Sequence, residues 1–521
     1  MNERFNFLTD KANNKPGTIM FQGTASDVGK SLIVTALCRI LSNQNKTVAP
    51  FKSWNMSLNS YVTPGGGEIG IAQALQAKAA GQKPQVDMQP ILVKPKGDGV
   101  SQVILKGKPA ADYKYDNKTD YLADAEKTIK EALSNLLEKY DNVIMEGAGS
   151  PVEINRKNKD LANMKVAKMY NTPVILVANI DRGGALASIV GTLRLLEPEE
   201  RELVQGIIIN KFRGDIDLLK SGIDFLENYT GKPVLGVIPY IRDLKLPEED
   251  SASLQNGLSD TVKEDIQIGV INLPHMSNFT DFKALEMEFD VHLSYINDSS
   301  RVNKMDLIII PGTKTTTKDL KYIKKNGLDK AIIQSASKGV PVIGICGGYQ
   351  MLGKTLLDRH QTEGQINQLK GLGLLPIETE FLPEKTTHQV KATINNRSDL
   401  LSEITDKEIN GYEIHMGQTN YLDDINYVFK IEKQSGHDVS IKDGAINKTG
   451  NCFGTYIHGL FDNDSFRRGI LNKIRKRKGL NPLSGKHSSY NQMIEGELDR
   501  LSEIVRDNLD MNYIRNLLNI E

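Results

Sequence analysis

Cysteine is scarce in this 521-residue chain: Cys38, Cys346 and Cys452 are the whole set, odd in number and without C-x2-C spacing. That excludes a disulfide framework and a structural zinc site, and it points to a reducing compartment. Aromatic residues are only 6% of the chain, and net charge is missing too, with Lys+Arg 65 against Asp+Glu 65. Neither stacking platforms nor a global field favours nucleic acid or anionic lipid as a partner. Long apolar runs are absent: PVILVANI at 173–180 and MDLIIIPG at 305–312 fall far short of the ~20 residues that cross a bilayer. The first 18 residues are polar and hold acids, unlike a signal peptide. The expectation is a cytoplasmic protein of small-molecule partners, with two or three domains, since this length exceeds one ordinary core.

From residue 17 short Val/Ile-rich runs alternate with helical patterns: TIMFQG, VAPFKS, DNVIMEG, TPVILVANI, GIIINKF and VLGVIPY. Apolar runs that do not alternate are the mark of parallel strands covered on both faces, so residues 17–245 read as a doubly wound parallel α/β sheet. A polar, charged stretch at 241–264 marks a boundary. A second α/β series, more mixed, spans 264–487 with IQIGVINLP, VHLSYI, MDLIIIPG, PVIGIC and NCFGTYIHGLF. In the tail at 488–521, Met493, Leu498, Leu501, Ile504 and Val505 recur at helical spacing, which predicts a helix packed on the second domain.

FQGTASDVGKS at 21–31 follows the first strand and opens a helix, the place where backbone N–H groups and a positive helix end face an anion together. Gly23, Thr24, Gly29, Lys30 and Ser31 form a candidate phosphate loop for ATP, with the Ser31 hydroxyl suited to Mg²⁺. Five residues separate Gly23 from Gly29, one more than in the generic loop. Glu146 ends the strand DNVIMEG at the carboxyl edge of the sheet, where an acid suits a metal ligand. Asn210, at another strand end, offers an amide to a purine edge.

VPVIGICGGYQMLG at 340–353 reads as strand, sharp glycine turn and helix, with Cys346 exposed at the turn like a nucleophile elbow. The flanking glycines serve no evident packing purpose, which favours a reactive thiol. Such a thiol needs a base. His458 in FGTYIHGLFD and His415, two residues from Glu413 in GYEIHMG, both qualify on the residues alone. GLGLLP at 371–376 lacks the third glycine of a dinucleotide fingerprint.

The loop GTASDVGKS resembles the extended phosphate loop of dethiobiotin synthetases, and GICGGYQMLG with GTYIHGLF resembles the two halves of a class I glutamine amidotransferase site. PFKSWNMSLNSYVT, GGEIGIAQALQAKAAG, VDMQPILVKPKGD, EGAGSPVEIN, NKFRGD and LPEEDS are similar to segments of the cobyric acid synthase family, over nearly the whole chain. The resemblance implies Cys346 as nucleophile, His458 as base, and an oxyanion hole from the N–H groups of Gly312 and Gly347. It implies Glu68 as a second acidic Mg²⁺ ligand beside Glu146 and Ser31. The implied substrates are glutamine, ATP and adenosylcobyrinic acid a,c-diamide, amidated at carboxylates b, d, e and g, with Lys94, Lys96, Arg156 and Arg213 as candidate partners of those carboxylates. Two departures stand out: Leu460 occupies the place of the acid in the usual His-x-Glu, and Trp54 replaces the family's Gln in FKxQNM. The competing readings are the a,c-diamide synthase of the same pathway and a phosphate-loop ATPase switch.

Overall fold

The computed structural model describes residues 16–97, 100–114, 121–247, 249, 264–364, 367–397, 399–422, 426–483 and 489–520. Six strands build the first sheet in the order Val234–Pro239, Val204–Phe212, Val174–Asn179, Gly17–Gly23, Asn142–Glu146 and Val48–Phe51, every pair parallel. Ile19, Phe21, Val143, Ile144, Ile175 and Val177 are fully buried, as unalternating strands between two helical layers require. The chain leaves Gly17–Gly23 toward one edge and returns on the other side of it, so the loop at 24–29 lies at the switch point where open α/β sheets bind ligands.

An excursion interrupts this domain. Trp54–Met56, Ile91–Gly97, Val100–Leu105 and Lys108–Lys114 form a four-stranded sheet, and Ser60–Val62 pairs with Glu68–Gly70 in a separate hairpin. The helix that follows starts only at Ile71 and ends at Ala79, because Glu68–Gly70 is spent on the hairpin.

The second domain has a sheet in the order Val291–Ile296, Ile266–Ile271, Leu307–Ile310, Val342–Ile345, Cys452–Thr455 and Ala445–Ile446, parallel except for the last pair. A seven-stranded mixed sheet adjoins it, dominated by the antiparallel pair Ile377–Ile394 and Glu408–Tyr421.

The tail corrects an expectation. Helix Tyr490–Asp507, opened by a capping box between Ser489 and Gln492, packs on helix Lys30–Asn43 of the first domain. Leu498, Leu501 and Val505 are buried there, while Arg39 reaches Glu495 at 2.9 Å and Asp499 at 2.7 Å. Periodicity announces a face to bury but not the surface that receives it.

Candidate functional site

Helix Lys30–Asn43 begins from Gly29, whose φ of 94° suits glycine alone; a Cβ there would also lie 2.2 Å from the Asn210 amide nitrogen. Asn210 donates to the Val28 carbonyl at 2.7 Å and accepts from the Lys211 N–H at 2.8 Å. Its amide therefore pins the phosphate loop while lining the nucleotide cleft. The Thr24 N–H is tied to the Val177 carbonyl at 2.9 Å. Lys30 Nζ folds toward the carbonyls of Ala25 at 3.3 Å and Gly149 at 3.4 Å, and burial lowers its pKa.

Ser31 Oγ donates to the Glu146 carboxylate at 2.8 Å, so loop and strand end meet as the sequence implies. Glu146 also accepts from Lys52 at 3.0 Å and Gln76 at 2.8 Å. Burial alone would raise its pKa, but Lys52 and Lys30 hold it down, so it is an anion. Lys52 bridges on to Glu249 at 3.4 Å, and these residues line a cleft of about 1170 Å³ together with Trp54 and Asn210. A hydroxyl and one carboxylate beside a phosphate loop are a donor set that fits Mg²⁺, which takes few protein oxygens and completes its shell with water and phosphate. Among the described residues no group of three or more His, Cys, Asp or Glu gathers as a full protein cage.

Glu68 is not brought to that pair. It lies in the hairpin against the second domain, fully buried, with Lys94 at 2.6 Å and Lys385 on its other oxygen. Burial would raise its pKa, and the two lysines reverse this and hold it well below the ordinary carboxylate range. Lys94 is thereby occupied as well. Arg213 is paired with Asp181 at 2.7 Å and lies 3.5 Å over the Tyr240 ring at the cleft rim. The Arg156 side chain lies outside the described ones, as do Glu248 and Asp250 of LPEEDS.

Cys346 joins strand Val342–Ile345 to helix Gly347–Leu352 with φ 51°, a strained left-handed setting that aims one side chain away from both elements. The neighbouring glycines have a packing role after all, since a Cβ on Gly348 would stand 1.9 Å from the Ile310 carbonyl oxygen. A Cβ on Gly312 would stand 3.2 Å from His458 Cε1, so that candidate oxyanion donor borders the imidazole, while Gly347 directly follows the thiol and approaches the Thr313 nitrogen.

His458 is wholly buried. Its Nδ1 lies 2.6 Å from Asp281 Oδ2, and the Gly459 N–H donates to Asp281 Oδ1 at 3.0 Å. Among the described residues no group lies within hydrogen-bond geometry of Nε2. Burial would lower the pKa of this imidazole, but Asp281 and Cys346 raise it to about 10. Tyr412 stacks on the ring at a centroid distance of 5.2 Å. Asp281 was invisible in the sequence: it stands 177 residues before His458, in the single turn Phe279–Phe282.

His415 is the other candidate base. Its ring stacks on Tyr456 at 3.8 Å, Nδ1 meets the Gly417 carbonyl at 2.9 Å, and burial drives its pKa down to about 4. Glu413 is 3.9 Å away and is pushed up to about 7 by burial and Asp443, so it is a poor orienting anion.

Residues 19–254 match a model described as the CobQ/CobB/MinD/ParA nucleotide binding domain, and residues 267–466 match the CobB/CobQ-like glutamine amidotransferase domain. Fold and site together define a phosphate-loop nucleotide-binding domain joined in one chain to a glutamine amidotransferase. Cobyric acid synthase of Dehalococcoides mccartyi is 47% identical over 501 residues, covering 96% of this chain and 98% of that protein. Cobyric acid synthase of Moorella thermoacetica is 48% identical over 510 residues, covering 96% and 97%. The chain belongs to the cobyric acid synthase family.

Proposed function

We propose that this protein amidates carboxylates b, d, e and g of adenosylcobyrinic acid a,c-diamide, spending ATP and taking ammonia from glutamine. The observation that carries the reading is the coexistence in one chain of a phosphate-loop cleft with the line Asp281–His458–Cys346. A carboxylate resists attack by ammonia, so the first domain must activate it by phosphoryl transfer. Lys30 and the loop N–H groups would hold the phosphates, and Lys52 would neutralise charge nearby. Ser31 and Glu146 would hold Mg²⁺, which when bound offsets the charge of the transferred phosphoryl group.

In the second domain Cys346 Sγ bonds to the glutamine carboxamide carbon, with the oxyanion facing the N–H groups of Gly312 and Gly347. His458 returns its proton to the departing nitrogen, ammonia leaves, and water cleaves the thioester to glutamate. Asp281 replaces the missing His-x-Glu acid in keeping the ring oriented. The activated acid then takes up the ammonia and phosphate departs. The use of ATP and glutamine, both cytoplasmic metabolites, supports a cytoplasmic location. The test is mass spectrometry of corrinoids incubated with the protein, glutamine, ATP and Mg²⁺: four successive gains of one amide are expected on the a,c-diamide, and modification only of the unamidated cobyrinic acid would overturn the reading.

A further inference from the structure

The segment Asn55–Ser60 lies between the two centres, and Asn59 within it is 1% exposed. The two ends of its carboxamide serve different domains. Nδ2 donates to the main-chain carbonyl of Glu249 at 3.0 Å, and Oδ1 accepts from the Phe279 N–H at 3.1 Å. On the nucleotide side the Glu249 carboxylate accepts from Asn55 and pairs with Lys52 at 3.4 Å; Lys52 pairs with Glu146 at 3.0 Å, which accepts from Ser31 at 2.8 Å. On the other side Phe279 opens the single turn that carries Asp281, 2.6 Å from His458. The residue before that turn, Asn278, has φ 53° and donates to the Ser60 carbonyl at 2.9 Å and to Tyr412 Oη at 2.8 Å.

We propose that Asn59 is a positioning residue that makes the setting of Asp281 and His458 depend on the state of the nucleotide cleft. Lys52 is shared by two carboxylates, so charge arriving beside Ser31 and Glu146 alters its hold on Glu249. Glu249 is tied through its main chain to Asn59, and Asn59 cannot follow it without changing its bond to the turn that orients the base. That turn starts from a left-handed asparagine, a conformation that surrounding contacts must maintain, and those contacts come from the same segment. The physical consequence is that glutamine is split fast only when the cleft is filled, which spares ammonia from escape. Couplings of this kind typically amount to about 5–150-fold.

The inference rests on the two-site reading above, and its test separates the two. The full chain and its variants Asn59→Ala and Asn59→Asp are assayed for glutamate release with glutamine alone and with ATP, Mg²⁺ and corrinoid added, and for amide formed from glutamine and from ammonium. Nucleotide binding is followed by fluorescence of Trp54, the single tryptophan, which lines the cleft. Asn59→Asp keeps the acceptor for the Phe279 N–H and loses the donor to Glu249. Both variants are expected to lose most of the stimulation, so that glutamate release with the cleft filled and glutamine-dependent amide formation fall together. Glutamine-only hydrolysis, ammonium-supported synthesis and nucleotide affinity should stay within about threefold of the parent. Retained stimulation in either folded variant would overturn the proposal, as would an equal fall in all activities, the mark of a merely structural role, or a parent without stimulation. If Asn59→Ala does not fold, the isosteric Asn59→Asp decides. A parent that forms no amide at all would instead overturn the two-site reading.

Discussion

His458 Nδ1 lies 2.6 Å from a carboxylate oxygen of Asp281, and the second oxygen of that carboxylate takes the N–H of Gly459. The acid is held by the residue next to the imidazole it orients, so ring and carboxylate move as one unit. Asp281→Asn keeps the shape and removes the charge. In serine enzymes the equivalent change costs about 10⁴ in kcat, and a thiol, being the better nucleophile, depends less on its base. Glutamine-dependent amidation should therefore fall about 10²–10³-fold, while ammonium-supported amidation stays near the parent value. A steady-state comparison of the two nitrogen donors checks this.

Cys346→Ala removes the nucleophile without touching the first domain. Glutamate release and glutamine-dependent amidation should drop to background, and added ammonium should still support amide formation. Loss of both activities would mean that the second domain has a further duty in the synthetase reaction.

The raised pKa of His458 also sets a dependence of stability on pH. In the unfolded chain a histidine titrates near about 6.5; in the folded protein burial would lower that value, but Asp281 and Cys346 raise it to about 10. The native state holds the extra proton between those values. The stabilisation is then complete below the unfolded pKa and is lost as pH rises through the folded one. Denaturant unfolding at about pH 6, 8 and 10 should show the parent losing stability across this window, and Asp281→Asn should lose less. Equal slopes would show that His458 is not kept as an imidazolium.

Much of this was legible because the chemistry is local in the chain. The phosphate loop and the thiol elbow each occupy one continuous strand, turn and helix, so spacing and glycine placement reveal them. Asp281, Lys385 and Glu249 were hidden for the opposite reason. Their partners His458, Glu68 and Asn59 lie 177, 317 and 190 residues away, and no periodicity links such pairs. The tail shows the same limit, since Leu498 and Leu501 mark a buried face whose receiving surface is decided only by the assembled fold. The glycines after Cys346 mislead differently: Gly348 is required by the close approach of Ile310 and Gly347 by that of Thr313, neither of which sequence proximity suggests.

The two candidate metal acids can be told apart. Glu146 receives the Ser31 hydroxyl, whereas Glu68 is saturated by Lys94 and Lys385 across the domain boundary. Removing one partner of a buried ion pair typically costs about 3–5 kcal/mol because the remaining charge is left without compensation. Glu68→Gln strands two buried lysines, so it should lower the unfolding free energy by an amount of that order and leave the Mg²⁺ concentration for half-maximal ammonium-supported activity unchanged. Glu146→Gln removes the carboxylate beside the phosphate loop and should raise that concentration about tenfold or more. Magnesium titrations at saturating ATP, read beside denaturant melts, make the comparison. An increased Mg²⁺ requirement in Glu68→Gln equal to that in Glu146→Gln would return Glu68 to the metal site, and with it a rearrangement of the hairpin Ser60–Gly70 away from Lys385.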